Sequence, residues 1–340
     1  MTARNETPLL TDDAIARLDA TEEALLAPVR GVDRRRSLPK DYFRKRPGRF
    51  SGKFLGTLAL IVAALAAIVW GPGWLAIVTV VPLGLGYAHL VELQHECLHE
   101  HAFRRRGLNR LCGIICGMFM LSSFWHYKHD HLRHHAFLGT PRNREFFNYR
   151  FRDLHRWKGV GFLCAAVNLG RYGTVGADIV RSYVGRPIPG VPRAMDAAKI
   201  RGEYRLLGAA VVAATAYTVL TGDLVFVYAW LLPAILVAEP AHFMIELPEH
   251  FGLNTQTDAN VLTNTRTITG SRFAQWYTNY NNLHTAHHYH QGVPMAQITR
   301  LHALIADQVV EIETSYWSFY RKVLTGEFRY RNLADTPMTR

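Results

Sequence analysis

Cysteine is scarce in this chain, and two long stretches carry no positive charge. Of 340 residues only four are cysteine: Cys97, Cys112, Cys116 and Cys164. Each lies in or beside an apolar run, and no two form a C-x-x-C pair. That spacing argues against a disulfide framework or an iron–sulfur site and predicts buried free thiols in a reducing compartment. No lysine or arginine lies between Phe54 and Glu92, or between Leu206 and Thr265. Internal repeats and low-complexity tracts are missing too. Residues 1–29 show neither a basic leader nor an early apolar run, so no cleavable signal peptide is expected. The spacing of Ile15, Leu18 and Leu25 predicts a surface helix there instead.

The charge that is present is basic and confined to blocks. Formal net charge is +12, and ten lysines or arginines fall between Arg30 and Lys53. Basic blocks alternating with uncharged runs suit a membrane protein with a basic wet face better than a nucleic-acid binder. No nucleic-acid partner is expected.

Two apolar pairs fill the uncharged stretches. The first is FLGTLALIVAALAAIVW (54–70), a Gly-Pro-Gly turn, and WLAIVTVVPLGLGYAHLV (74–91). The second is LLGAAVVAATAYTVLT (206–221), Gly222–Asp223, and LVFVYAWLLPAILVA (224–238). A spanning helix needs roughly 17–25 apolar residues. The first pair qualifies; the second must borrow flanking polar residues at the interface. The plainer reading, two buried hairpins of a soluble protein, is disfavoured by the long arms and nearly uncharged turns. The expected fold is therefore all-α: a multi-pass membrane protein with four transmembrane helices in two hairpins, and a cytoplasmic helical cap. Segments 108–124 and 159–170 are apolar but are not counted as spans. The positive-inside rule puts both termini and the stretch 93–205 on the cytoplasmic side of the cell membrane. Three regions result: residues 1–50, a membrane domain over 51–310, and a tail over 311–340.

Histidine is abundant, with 17 copies, and much of it is bunched on that side. HECLH (95–99) follows the second span. HLRHH (131–135) sits in the middle stretch and HTAHH (284–288) in the last, while His250 comes just after the fourth span. On a helix, residues i, i+3 and i+4 share a face, so each box can aim two or three imidazoles at one point. The candidate metal ligands are His95, His99, His131, His134, His135, His250, His284, His287 and His288. Nine nitrogens are too many for one tetrahedral zinc and suit two metals of higher coordination number. Imidazole suits zinc, copper, iron and nickel alike. Chance supplies roughly 0.04 H-x-x-H-H matches in such a chain, so two by accident is on the order of one in a thousand.

Each part has a competing explanation. H-E-x-x-H alone reads as a zinc protease with Glu96 as general base, but that leaves both H-x-x-H-H boxes unused. Soluble carboxylate diiron proteins repeat E-x-x-H on two helices. Here Glu92–His95 and Glu96–His99 overlap on one helix, which fits that pattern poorly. Glu92, Glu96 and Asp130 fit better as groups that orient imidazoles by accepting an N–H. His101, His129 and His290 adjoin the boxes and could act likewise. The remaining histidines read as structural or solvated.

The order H-x-x-x-H, H-x-x-H-H, H-x-x-H-H, interleaved with two membrane hairpins, resembles the membrane fatty acid desaturase/hydroxylase superfamily over about residues 50–310. DHLRHH (130–135) is similar to the family's second box, and NNLHTAHHYHQGVP (281–294) to its third. EHFGL (249–253) is similar to the segment that supplies an extra histidine in alkane hydroxylases and some desaturases. One departure stands after the third box, where His290–Gln291 replaces an aromatic-Pro pair; this bears on substrate more than on metal.

The resemblance implies a non-haem diiron oxidoreductase that holds two iron ions on the nine histidines. It would use O2 and two external electrons on an unactivated C–H. No haem-binding H-P-G-G segment is fused, so a separate ferredoxin or cytochrome-type donor is implied. A fatty-acyl desaturase is the first expectation. A hydroxylase or ketolase acting on an alkyl, carotenoid or specialised-metabolite chain is the alternative. The basic stretch 30–53 would meet anionic membrane lipids or an acidic donor, or act only as a topological anchor.

Overall fold

The computed structural model describes residues 38–144, 147, 158–191 and 195–328. The helix expected around Ile15–Leu25, the basic residues Arg30–Arg36 and His155 lie outside them. Four helices are long and apolar enough to cross a membrane: Lys40–Trp70, Trp74–Leu98, Ala197–Thr221 and Val227–His250.

Helix α1 (Pro47–Trp70) starts with proline at its first position, where the missing N–H costs nothing, and stops at Gly71. A short lead-in, Trp74–Val78, feeds α2 (Val80–Leu98). Both helices carry large side chains that point away from the protein, such as Trp70 (83 % exposed) and Val62 (64 %). In water such a surface would be costly; against lipid it is not. Next come α3 (Arg106–Met118) and α4 (Phe124–Phe137), then α5 (Lys158–Val167) and α6 (Leu169–Tyr183). Helix α3, with 13 residues, and α5, with 10, are too short to span. The second hairpin is longer than its apolar core. Helix α7 (Met195–Thr221) and α8 (Val227–His250) extend into polar residues at the end that carries the histidines.

Helix α8 is irregular for a readable reason. A proline removes the hydrogen bond to the carbonyl four residues back. Pro233 frees the carbonyl of Ala229, and the Tyr87 hydroxyl of α2 donates to it. Pro248 frees that of Met244, and the Tyr320 hydroxyl donates there at 2.6 Å. Turns Val227–Leu231 and Pro233–Ala238 widen to π geometry around the first break. An ion pair locks α8 to α6: Arg171 meets Glu239, itself fully buried, at 2.5 Å and also donates to the Met120 carbonyl.

Beyond α8 lie α9 (Val261–Asn264), β1 (Arg266–Ile268), α10 (Arg272–Tyr277), α11 (His284–Tyr289), α12 (Ile298–Ile305), β2 (Glu311–Glu313) and α13 (Tyr316–Leu324). Strands β1 and β2 pair in parallel, with Arg266 opposite Glu311 and Ile268 opposite Glu313. This ribbon is the one departure from an all-helical fold among the described residues. It anchors the end of α8: buried Arg266 donates to the Pro248 and Phe251 carbonyls, which have no helical partner of their own.

Three cysteines are buried and all four are free, but Cys164 is exposed on α5, against expectation. A short helix buries one face only, and Cys164 sits on the other. Lys53 also departs from the basic wet face. It is 6 % exposed and donates to the Trp276 carbonyl and the Asn279 side chain.

Candidate metal centre

The histidine boxes enter from four directions. His95 ends α2, with His99 as its C-cap. His131, His134 and His135 lie on α4, His250 closes α8, and His284, His287 and His288 lie on α11. Helix α4 is clamped at its start. Ser123 caps it through the His126 N–H, and the Glu203 carboxylate of α7 accepts from Ser123 Oγ (2.7 Å) and the Trp125 N–H (2.9 Å). His126 and the Tyr204 hydroxyl meet at 2.6 Å one step further on.

The nine imidazoles form two groups. His95, His99, His131, His135 and His287 make the first; His134, His250, His284 and His288 make the second. Within each group the candidate ligand atoms all lie within 4.8 Å of one another. In the first group Nε2 of His131 is 2.9 Å from His95, 3.0 Å from His99 and 2.9 Å from His135. His135 and His287 approach to 2.9 Å. In the second group His284–His250 is 3.0 Å and His134–His288 is 3.3 Å. The groups abut, with the rings of His135 and His288 stacked at 4.1 Å.

Each H-x-x-H-H box is split between the groups, where the spacing alone suggested a single target. The i, i+4 pair is about 40° apart around a helix and stays together; the residue between faces elsewhere. So His131 and His135 enter the first group and His134 the second. On α11 the pair His284 and His288 enters the second group, and His287 the first.

Hydrogen bonds cannot satisfy this arrangement. A neutral imidazole has one N–H, and four or five Nε2 atoms facing inward cannot all find a proton between them. Protonation is no remedy. Burial first, then repulsion among the imidazoles, holds His99, His131, His135, His284, His287 and His288 well below the usual 6.5. What remains is two knots of neutral nitrogen lone pairs, which fit a metal cation each.

Two of the outer nitrogens have other partners. His134 Nδ1 meets Asn143 Oδ1 at 2.7 Å, and His250 Nδ1 meets the Asn264 carbonyl at 3.0 Å. The three carboxylates expected to serve the boxes face other groups. Glu96 accepts from Asn279 (2.7 Å), whose own oxygen accepts from Lys53 (2.8 Å). Glu92 faces His242 at 3.9 Å. Asp130 meets His129 (3.1 Å) and Arg144 (3.2 Å) rather than His131. Glu96 and Asp130 each adjoin a box histidine, and neighbours in sequence point about 100° apart on a helix, so both face away from it. Asn143, Asn264 and Glu249 were missed; only Glu249, beside His250, had any adjacent signal. Of the flanking histidines, His101 stacks on His99 at 5.2 Å, while His129 and His290 turn outward to Asp130 and Phe43.

A model of the fatty acid desaturase family matches residues 72–320, a span that holds three of the four long apolar helices and every box. The chain belongs to the fatty acid desaturase family. Among curated proteins none matches it. As a desaturase-family member it is an oxidoreductase of membranes, and its two histidine groups are sites able to hold metal.

Proposed function

We propose that the chain is an O2-dependent diiron fatty-acyl desaturase. One iron is held by His95, His99, His131, His135 and His287, the other by His134, His250, His284 and His288. The observation that carries this reading is the convergence of nine neutral imidazoles into two adjoining groups at one end of four apolar helices. Iron in such a site supplies reduction of O2 and removal of hydrogen from an unactivated C–H. The protein holds both ions in fixed positions on three helices and one helix end, and keeps an alkyl chain from moving beside them. Glu96 accepts from Asn279, which engages the carboxylate that a zinc protease would need as general base.

The site faces the cytoplasm, on the side of the basic residues, in the cell membrane with both termini inside. Electrons come from a separate ferredoxin or cytochrome-type donor. Lys128 and Arg106 both pair with Glu100, next to His99, and set a basic rim beside the first group. A hydroxylase on the same scaffold is the second reading, favoured by His250 of EHFGL, which joins the second group.

Mass spectrometry of lipids and metabolites from cells expressing wild type and His134→Ala separates them. A wild-type-only product lighter by two hydrogens supports desaturation. One heavier by an oxygen supports hydroxylation and removes the first reading.

A further inference from the structure

The two groups are unequal, five imidazoles against four, and the smaller has a carboxylate at its edge. Glu249 sits on the last turn of α8, 8 % exposed. Its Oε2 lies 3.4 Å from Nε2 of His284. That nitrogen is the inward one, 3.0 Å from Nε2 of His250. A carboxylate that merely orients a ligand histidine takes the outer nitrogen, as Asn143 does for His134. The outer Nδ1 of His284 has no hydrogen-bond partner among the described residues, so Glu249 has passed it by. Two donors each about 2.1 Å from one ion stand roughly 3.0–3.4 Å apart, from octahedral to tetrahedral arrangements. The Glu249–His284 separation falls in that range.

The local fold explains how neighbours in sequence reach one point. Helix α8 ends at His250 and Phe251 is extended (φ −60°, ψ 126°), so His250 stands at the helix end beside Glu249. Arg266 holds that end by its Pro248 and Phe251 carbonyls. Asn281 Nδ2 donates to Glu249 Oε1 at 2.8 Å, which fixes the carboxylate and leaves Oε2 turned to the group. Resting on the diiron reading above, we infer that Glu249 is an oxygen ligand of the second metal. The centre then has one all-nitrogen site and one site of four nitrogens and a carboxylate. The anionic donor makes the second ion the more electron-rich of the two.

The test uses full-length protein in lipid nanodiscs, carrying 13C-labelled glutamate, metal-free or loaded with Fe(II). Wild type should bind two ions and show a glutamate carboxylate stretch that shifts on loading. Glu249→Gln keeps the shape and an acceptor for Asn281. It should lose that shifting band, weaken the second ion by more than the roughly 100-fold that marks the upper end for a group that only orients a ligand, and leave the first unchanged. Metal-free thermal unfolding of both proteins checks that the fold survives. If it does not, the wild-type spectrum decides alone: no glutamate band that moves with metal overturns the assignment. A variant that retains the band, or that loses affinity while the band persists, also overturns it and leaves Glu249 as a positioning group. Wild type binding fewer than two ions would instead break the diiron reading itself.

Discussion

Single side chains decide the electrical character of the centre. His99, His131, His135, His284, His287 and His288 stay neutral in the fold, well below 6.5, because burial and one another's proximity disfavour the charged form. In the unfolded chain each takes up a proton near pH 6.5. Below that pH the unfolded state binds more protons, so metal-free protein loses stability as pH falls. The slope is about 1.4 kcal/mol per pH unit for each histidine still neutral in the fold. The melting temperature of metal-free protein should begin to drop near pH 6.5 on acidification; a flat profile from pH 7.5 to 5.5 would contradict a neutral cluster. Asn143 is a second residue with a defined task, holding His134 by its outer nitrogen. Asn143→Ala should reduce metal affinity or turnover by roughly 10–100-fold, seen in a Co(II) titration. Loss confined to stability, with affinity intact, would show that the contact only packs.

Helix pairs set the distance between the two groups. Helix α2 delivers His95 and α8 delivers His250, and the two approach closely at Gly84. A Cβ there would fall 2.4 Å from Val237 Cβ and 2.7 Å from the Pro233 carbonyl. Small residues permit such approach between helices in lipid. Gly84→Leu should force α2 and α8 apart at a cost of about 1–3 kcal/mol or more and lower the iron content per chain. Gly56→Leu on α1, with open space around its Cβ, should leave both quantities near wild type. Equal iron content in the two variants would mean that this contact does not govern the site. The proline-freed carbonyls of α8 belong to the same scale: Tyr87 and Tyr320 satisfy them from other helices, which ties the irregular span to its neighbours.

Among the described residues, the basic stretches and all the boxes gather at one end of the four apolar helices, with both tight turns at the other. On the orientation proposed above, the turns are extracytoplasmic. In a Cys164→Ser background, cysteines placed at Pro72 and Asp223 should react with a membrane-impermeant maleimide in intact cells. A cysteine at the exposed Gln291, beside the third box, should react only after lysis. Labelling of Gln291→Cys in intact cells would invert the orientation.

Much was legible from the chain alone. Uncharged runs of the right length give four helices, because lipid tolerates no buried charge without a partner and a fixed rise per residue sets the span. The i, i+4 histidines give the faces able to hold metal, because helical periodicity is local. Tertiary structure alone decided how nine imidazoles divide five and four, which depends on the azimuth of α4 against α11. It also decided which groups touch them: Asn143 and Asn264 arrive from segments with no spacing signal and Glu249 from beside His250, while Glu92, Glu96 and Asp130 were near in sequence and turned away. Contacts across helices are fixed by how packed faces meet, and no local pattern in the chain encodes that.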